Sequence, residues 1–90
     1  MKYARNLIGP QVRKLRFAQG LTQDQLAGRL QRSGWDVSRV SVAKIEAQLR
    51  WVTECELFMI AHALQTPLEA FFPSAKQVKE FVGSPNFKRN

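Results

Sequence analysis

Apolar side chains recur every three or four positions along much of the chain, which is the spacing of one buried helix face. In the first segment, Pro10 stands where an early helical residue belongs, and Gly20 stands where the chain can leave the helix in a left-handed conformation. The apolar stripe here consists of Ile8, Val12 and Leu15. The pattern predicts a first helix between Pro10 and Gly20.

A capping box predicts the second helix. In Thr22-Gln23-Asp24-Gln25, the threonine hydroxyl can accept a hydrogen bond from a free backbone N–H, while Gln25 reaches back to another. Leu21 before the cap and Leu26 after it can pack as a hydrophobic staple. We therefore expect a helix from Thr22 to about Ser33, with Gly34 just beyond its end.

The next stretch, Asp36–Glu46 (DVSRVSVAKIE), fits two secondary structures. Its β-branched composition is typical of a strand. With Ser38 as N-cap, however, Val42, Ile45 and Leu49 share one helical face, whereas a strand would place Val42 and Ile45 on opposite faces. Because packing overrides intrinsic propensity, we predict a third helix.

Two further helices follow. Thr53-Glu54-Cys55-Glu56 is another capping box and begins the fourth helix. Its buried stripe consists of Leu57, Ile60, Ala61 and Leu64. Thr66-Pro67-Leu68-Glu69 predicts a short final helix with proline at its first position, and Pro73 ends it.

Short connections between these segments predict one compact all-α domain of five helices over residues 1–73. Residues 74–90 form a C-terminal extension, in which residues 76–82 have the pattern of a short extra helix. The last eight residues, GSPNFKRN, have the composition of a loose tail.

Composition excludes several classes of protein. No apolar run approaches the roughly 18–20 residues of a membrane span, and no signal peptide is recognisable, so we expect no membrane partner. Cys55 is the single cysteine, which fits the reducing cytoplasm. Cys55 and His62 are seven residues apart, too far for a nucleophile–base pair, and too few ligand residues accompany them for a metal site. We therefore expect no enzyme, metal or cofactor.

Charge is distributed unevenly along the chain. Residues 1–50 hold ten basic and three acidic side chains, a net charge of +7. Residues 51–75 hold three acids and no base, and residues 76–90 return a net +3. A basic half beside an acidic segment indicates an oriented field with its basic side toward a polyanion such as nucleic acid.

Several motifs in order resemble one family. The segments IGPQVRKLRFAQGLTQDQLAGRL, VSRVSVAKIEA and ELFMIAHALQTPLEAFF together resemble the lambda-repressor-like (Cro/CI, XRE-type) helix-turn-helix family over about residues 7–72. The resemblance implies that the second and third predicted helices form the helix-turn-helix. It also implies a sequence-specific DNA-binding transcriptional regulator of the repressor type, which reads double-stranded DNA as a homodimer.

The resemblance also implies which residues contact DNA. Gln23, at the start of the second helix, corresponds to a residue that meets the DNA backbone, where free amides attract phosphate. Arg39, Val40 and Lys44 correspond to positions that face base edges, with Ser38 and Ser41 beside them. Arg50 corresponds to a basic residue at the phosphate backbone.

A different role is implied for Arg16 and Glu46, which correspond to a buried ion pair between the first and third helices. The chain also departs from the family in two places. The connection QRSGWDV is about five residues longer than the family's tight turn, and a lengthened second helix with Trp35 folded back would accommodate it. Gln48 stands where the family usually has glycine.

Alternative interpretations accompany the functional ones. Arg39 and Lys44 also fit an ordinary solvated helix face, and Val40 also fits packing under Trp35. An apolar C-terminal cluster would either complete the core or form a dimer interface; it consists of Phe71, Phe72, Phe81 and Val82. The long turn and this cluster favour a rival function, a protein-interaction module or an antitoxin that binds a protein partner.

Overall fold

The computed structural model describes residues 4–84, which form five α-helices and one turn of 3₁₀-helix. The helices are α1 (Gly9–Ala18), α2 (Gln23–Arg32), α3 (Arg39–Glu46), α4 (Glu54–Ala63) and α5 (Ala75–Val82), and the 3₁₀ turn is Leu68–Phe71. Residues 1–3 and 85–90, and with them most of the predicted tail, lie outside the described part. The all-α prediction is confirmed for residues 4–84, and the domain boundary at residue 73 stays a prediction.

The N-caps predicted from the sequence are present at the starts of α2 and α4. Thr22 Oγ1 accepts from the Gln25 backbone N–H at 3.0 Å, and Gln25 Oε1 accepts from the Thr22 N–H at 2.8 Å. Thr53 and Glu56 form the same reciprocal pair at the start of α4, with both distances 3.1 Å. The two predicted capping boxes are therefore confirmed, and each satisfies backbone donors that a helix N-terminus leaves without partners.

α1 to α4 all end in a Schellman motif, in which the chain turns through one residue of positive φ. At the end of α1, for example, Leu21 N donates to Arg16 O at 3.1 Å and Gly20 N donates to Phe17 O at 2.9 Å. Glycine takes the positive φ after α1 and α2, at Gly20 (69°) and Gly34 (105°). Glutamine takes it after α3 and α4, at Gln48 (62°) and Gln65 (50°).

The early end of α3 corrects one prediction. Leu49 was expected on the buried stripe with Val42 and Ile45, but its side chain is 51% exposed. α3 ends at Glu46, and the left-handed residue Gln48 turns the chain before Leu49, so helical spacing no longer applies there. The sequence pattern extended the helix too far because no glycine marked its end.

The segment between Pro67 and Pro73 corrects a second prediction. Pro67 has an extended backbone (ψ 147°) and precedes the helical residues instead of being the first of them. The predicted short helix is a four-residue 3₁₀ turn, Leu68–Phe71, because two prolines leave too little chain for successive α-helical hydrogen bonds. Its buried residue, Phe71, completes the core.

The hydrophobic core lies between α1, α2, α3 and α4, with the 3₁₀ turn covering one end. Its largest fully buried side chains are Phe71, Leu26, Leu30, Ile45, Ile60, Leu64, Val12 and Val42. Leu15, Leu21 and Leu57, which were predicted to join it, pack against it half-buried. This core holds α2 and α3 against each other, with the outer face of α3 left uncovered.

α5 confirms the extra C-terminal helix, with a capping box that the sequence interpretation did not use. Ser74 Oγ accepts from the Gln77 N–H at 3.3 Å, and Gln77 Oε1 accepts from the Ser74 N–H at 3.3 Å. The apolar C-terminal cluster is divided: Phe71 is buried, whereas Phe72 and Val82 are 44% and 42% exposed. One part therefore completes the core and another remains available to a partner.

Candidate nucleic-acid interface

α3 begins at an N-cap and presents two unlike faces. Ser38 Oγ accepts from the Ser41 backbone N–H at 3.2 Å, which fixes the first turn. Val42, Ile45 and Glu46 face inward and are buried. The opposite face carries the residues that the family resemblance placed at base edges, and these are Arg39, Val40 and Lys44.

The outer face of α3 is both exposed and basic. Val40 is 52% exposed between Arg39 and Lys44, so the interpretation that it packs under Trp35 does not account for most of its surface. Ion pairs among residues 4–84 join Arg16 to Glu46 and Arg50 to Glu56, and they leave Arg39 and Lys44 without an acidic partner. Ser38 is exposed and Ser41 half-buried at the edge of the same face.

Gln23 is the first residue of α2, as its predicted role requires. Its side chain is half-buried and donates from Nε2 to Glu46 Oε1 at 3.1 Å. The amide therefore links the start of α2 to the end of α3. Free backbone N–H groups at a helix N-terminus, together with the helix dipole, favour an anion there. Whether Gln23 meets a phosphate stays a prediction.

Arg16 and Glu46 form the buried ion pair that the resemblance implied. Arg16 Nε donates to Glu46 Oε2 at 2.7 Å and Arg16 Nη2 to Glu46 Oε1 at 2.9 Å, while Arg16 Nη1 donates to Leu21 O at 2.7 Å. The hydrogen bond to Glu46 raises the pKa of Arg16 above its ordinary value, although burial acts in the lowering direction. The pair joins α1 to the end of α3 and is structural, since both side chains are almost completely buried.

Arg50 makes bonds within the protein that the sequence did not indicate. Its Nη1 and Nη2 donate to Glu56 Oε1 and Oε2 at 3.0 and 3.1 Å, and its guanidinium lies 5.7 Å from the Trp35 ring centroid. Burial tends to raise the pKa of Glu56, but hydrogen bonds from Arg50 and the Thr53 N–H hold that pKa below its ordinary value. A phosphate contact by Arg50 is implied by the family resemblance alone and is untested.

Two residues that support the site were missed by the sequence interpretation. Asn6 is buried, and its Nδ2 donates to Ile45 O at 3.0 Å and to Arg50 O at 2.9 Å, while its Oδ1 accepts from Gly9 N at 2.8 Å. Gly9 lies so close to the end of α3 that a Cβ there would overlap Ile45 O. Only an Asn-x-x-Gly spacing ahead of a helix could have drawn attention to them, and that signal is weak.

Features of other functional classes are sparse in the described part of the chain. Among residues 4–84, no group of three or more histidine, cysteine or acidic side chains is placed to hold a metal ion. No helix in that same range is long and apolar enough to cross a bilayer. Cys55 and His62 are both exposed on α4.

Comparison with known proteins identifies the family. The family model HTH_3, described as helix-turn-helix, matches residues 12–71. None of the curated proteins matches the chain.

Solved structures similar to this chain are regulators. The restriction-modification controller protein C.AhdI from Aeromonas hydrophila is 29% identical, with a TM-score of 0.64 over 72% of this chain and 87% of that one. The DNA-binding domain of BldD is 27% identical, with a TM-score of 0.65 over 79% of this chain and 94% of that one.

An HTH_3-family transcriptional regulator from Vibrio cholerae is 28% identical, with a TM-score of 0.67. The similarity covers 82% of this chain but 39% of that regulator. The family match, the helical fold and these structures agree. The chain belongs to the XRE-type helix-turn-helix family, whose members are DNA-binding transcriptional regulators.

Proposed function

We propose that this regulator reads a specific duplex sequence by placing the outer face of α3 in the major groove, as a repressor does. The observation that supports this most is the uncovered face of α3, where Arg39 and Lys44, which have no acidic partner among residues 4–84, flank an exposed valine. Arginine and lysine can donate to guanine O6 and N7, and valine can contact a thymine methyl group. A valine with half of its surface in water is explained by such a contact.

The remaining contacts in the proposal are to phosphates. The N-termini of α2 and α3 each carry backbone donors and the positive end of a helix dipole, with Gln23, Ser38 and Ser41 beside them. Such contacts provide most of the affinity and fix the register of α3, but they carry no base information. Affinity should therefore fall steeply with salt while the base preference persists.

Selection from a random duplex library, followed by binding of the enriched sequences over a salt series, tests this function. We expect an enriched motif, and we expect Arg39→Ala to relax one base position by about 1–3 kcal/mol. Arg13→Ala is the matched control, because it removes the same charge from an exposed position on α1. No motif, or a motif that survives Arg39→Ala in a folded protein, would contradict the proposal.

A second copy of the chain completes the proposed reader. Two copies related by a two-fold axis would read a pseudo-palindrome whose half-sites lie about one helical turn apart. The exposed Phe72 and Val82 line an apolar groove of about 390 Å³ together with Trp51 and Phe81, which is a surface that a second copy could cover. Sedimentation equilibrium of the wild type and of Val82→Glu measures whether this groove forms a dimer. A wild type that is monomeric, and that Val82→Glu leaves unchanged, would contradict the proposed dimer.

One observation favours the rival function of a protein-interaction module or antitoxin. Phe58 on α4 is 60% exposed and, with His62 and Leu68, lines a separate groove of about 450 Å³. This apolar surface lies on the acidic segment and is not required by the DNA-reading proposal. If the library selection yields salt-sensitive binding without a motif, the protein-interaction function becomes the better explanation.

A further inference from the structure

One guanidinium, that of Arg50, joins the two loops on either side of α3. The loop before α3 contains Trp35, and the loop after α3 contains Arg50. The Arg50 guanidinium carbon lies 5.7 Å from the Trp35 ring centroid, within the range of a cation–π contact. The connections that lead into and out of the recognition helix therefore meet at this side chain.

The guanidinium is anchored on the other side by α4. Glu56, in the first turn of α4, accepts two parallel hydrogen bonds from Arg50 at 3.0 and 3.1 Å, and Arg50 Nη1 also donates to Trp51 O at 3.1 Å. These bonds use three of the five N–H donors of an arginine. The Glu56 carboxylate also neutralises the positive charge of Arg50, which a DNA phosphate would otherwise contact.

The loop that contains Trp35 is fixed by hydrogen bonds to α2. Its backbone N–H donates to Leu30 O at 3.0 Å as part of the Schellman motif that ends α2. Gln31 Nε2 donates to Val37 O at 2.7 Å and fixes the remainder of the same loop. The backbone at Trp35 is therefore fixed by the end of α2, its side chain packs half-buried against the core, and Arg50 connects the ring to α4.

α3 depends on such external supports because it is only eight residues long. A helix this short is marginal by itself and is held by tertiary contacts, those of its buried face in the core and those at its two ends. We propose that Arg50 is a positioning residue that orients α3 through Trp35 and Glu56, and that it does not bind a DNA phosphate. The inference rests on the proposed function, in which α3 reads DNA.

Glu56→Gln separates the two roles of Arg50 by the sign of its effect. Glutamine keeps the capping box with Thr53 but removes the charged partner of Arg50. If Arg50 positions α3, affinity for the selected motif falls by roughly 2- to 30-fold and the base preference relaxes. If Arg50 is a phosphate ligand, removal of the competing carboxylate raises affinity and leaves the base preference unchanged.

Arg50→Lys gives an independent test. Lysine keeps the positive charge for a phosphate but lacks the planar fork that bonds both carboxylate oxygens of Glu56. The positioning role predicts that Arg50→Lys and Arg50→Gln lose affinity alike, with the wild-type salt slope. Binding by Arg50→Lys that equals the wild type, beside a slope lower by about one in Arg50→Gln, would overturn the inference.

Glu69→Gln is the control for Glu56→Gln, since it removes one acidic charge from an exposed position outside the proposed dimer groove. Circular dichroism confirms that each variant is folded at the temperature of the binding assay. Folded variants that retain the wild-type base preference would also overturn the positioning role. Failure of the proposed function shows separately, because the wild type would then select no motif.

Discussion

At the scale of single residues, the buried pair of Arg16 and Glu46 has the largest expected effect on stability. Glu46 accepts from both Arg16 and Gln23, so its removal leaves a buried guanidinium without its counter-charge. We expect Glu46→Leu to lower the free energy of unfolding by about 3–5 kcal/mol in urea titrations. The double variant Arg16→Met/Glu46→Leu should lose less, because neither charge is then stranded.

A double-mutant cycle on this pair has a clear contrary outcome. The cycle also needs the single variant Arg16→Met. If the losses in free energy of unfolding of Arg16→Met and Glu46→Leu add up to that of the double variant, the two side chains are not coupled as their distances require. Any loss of DNA binding by Glu46→Leu is attributable to the interface only when the protein remains folded under the same conditions.

Replacing either of two helical glycines by alanine should change the stability of the fold, in opposite directions. A Cβ at Gly9 would overlap Ile45 O, so Gly9→Ala must push α1 away from the end of α3. A Cβ at Gly28 meets only the flexible end of Arg32, at 3.5 Å. We expect Gly9→Ala to destabilise by about 1–3 kcal/mol and Gly28→Ala to stabilise by about 0.5–1 kcal/mol.

Thermal unfolding of the two glycine variants measures both effects, and each is the control for the other. Equal shifts in Tm of the same sign would mean that helix propensity alone decides the response. The close approach of α1 to α3 would then be looser than the geometry around Gly9 shows.

At the scale of helices, the ends of α3 and α4 contain stored strain. Gln48 and Gln65 both adopt positive φ, which costs a side-chain-bearing residue about 1–2 kcal/mol and costs glycine nothing. Gln48 Nε2 also donates to Asn6 O at 3.0 Å, a bond that glycine would lose. We expect Gln65→Gly to raise Tm, and Gln48→Gly to raise it less or lower it.

The comparison of the two glutamines tests whether the Asn6 contact offsets the strain at Gln48. A larger gain from Gln48→Gly than from Gln65→Gly would show that the contact contributes little. In that case, Gln48 would be held mainly by its backbone, through the Arg5 N–H that donates to Gln48 O at 3.0 Å.

Acid weakens the link between Arg50 and α4. Because the folded-state pKa of Glu56 is lowered, its carboxylate stabilises the fold fully above the unfolded-state pKa, about 4.3. That contribution is lost as the pH falls through the lowered folded-state value. We expect Glu56→Gln to be less stable than the wild type at pH 7 and to approach it at about pH 3, in urea titrations at each pH.

Local sequence signals predicted most helices of the fold, and long-range contacts account for what they missed. Thr22, Ser38 and Thr53 mark helix starts because a cap acts within four residues. Leu49 was misplaced because the left-handed turn at Gln48 has no glycine to reveal it. The spacing of apolar residues does not show where a helix without a C-terminal glycine ends.

The candidate site shows the same division. The exposed basic face of α3 was predicted from spacing and from the family resemblance. The supports around it were not, because Asn6 acts on residues about 40 positions later and Arg50 meets Trp35 only after the chain has folded. No local pattern specifies which of several arginines will find a carboxylate.

At the scale of the whole molecule, a compact shape limits how the two copies of the proposed dimer would lie on DNA. The described part extends 35 × 23 × 21 Å, and its long dimension is close to one helical turn of the duplex, about 34–36 Å. We expect a tight spacing requirement between the two half-sites. Inserting about five base pairs turns one half-site to the opposite side of the duplex and should abolish cooperative binding in gel-shift titrations.

Adding about ten base pairs returns the half-sites to the same side of the duplex but one helical turn further apart, so it separates the effect of distance from that of rotation. Unchanged affinity across the whole series would mean that the two copies bind independently. The two-fold arrangement would then have to be abandoned while the reading role of α3 stood.

The brevity of α3 also sets how rare its targets are in a genome. Eight residues span about 12 Å, the rise of only about three or four base pairs. A four-letter word occurs by chance about once in 250 positions, so a genome of about a million base pairs would contain thousands of decoys. Two such words at fixed spacing occur about once in 65,000 positions, which leaves about 15 competitors. Under the proposed function, pairing of two chains therefore supplies information that one short helix has no room to encode.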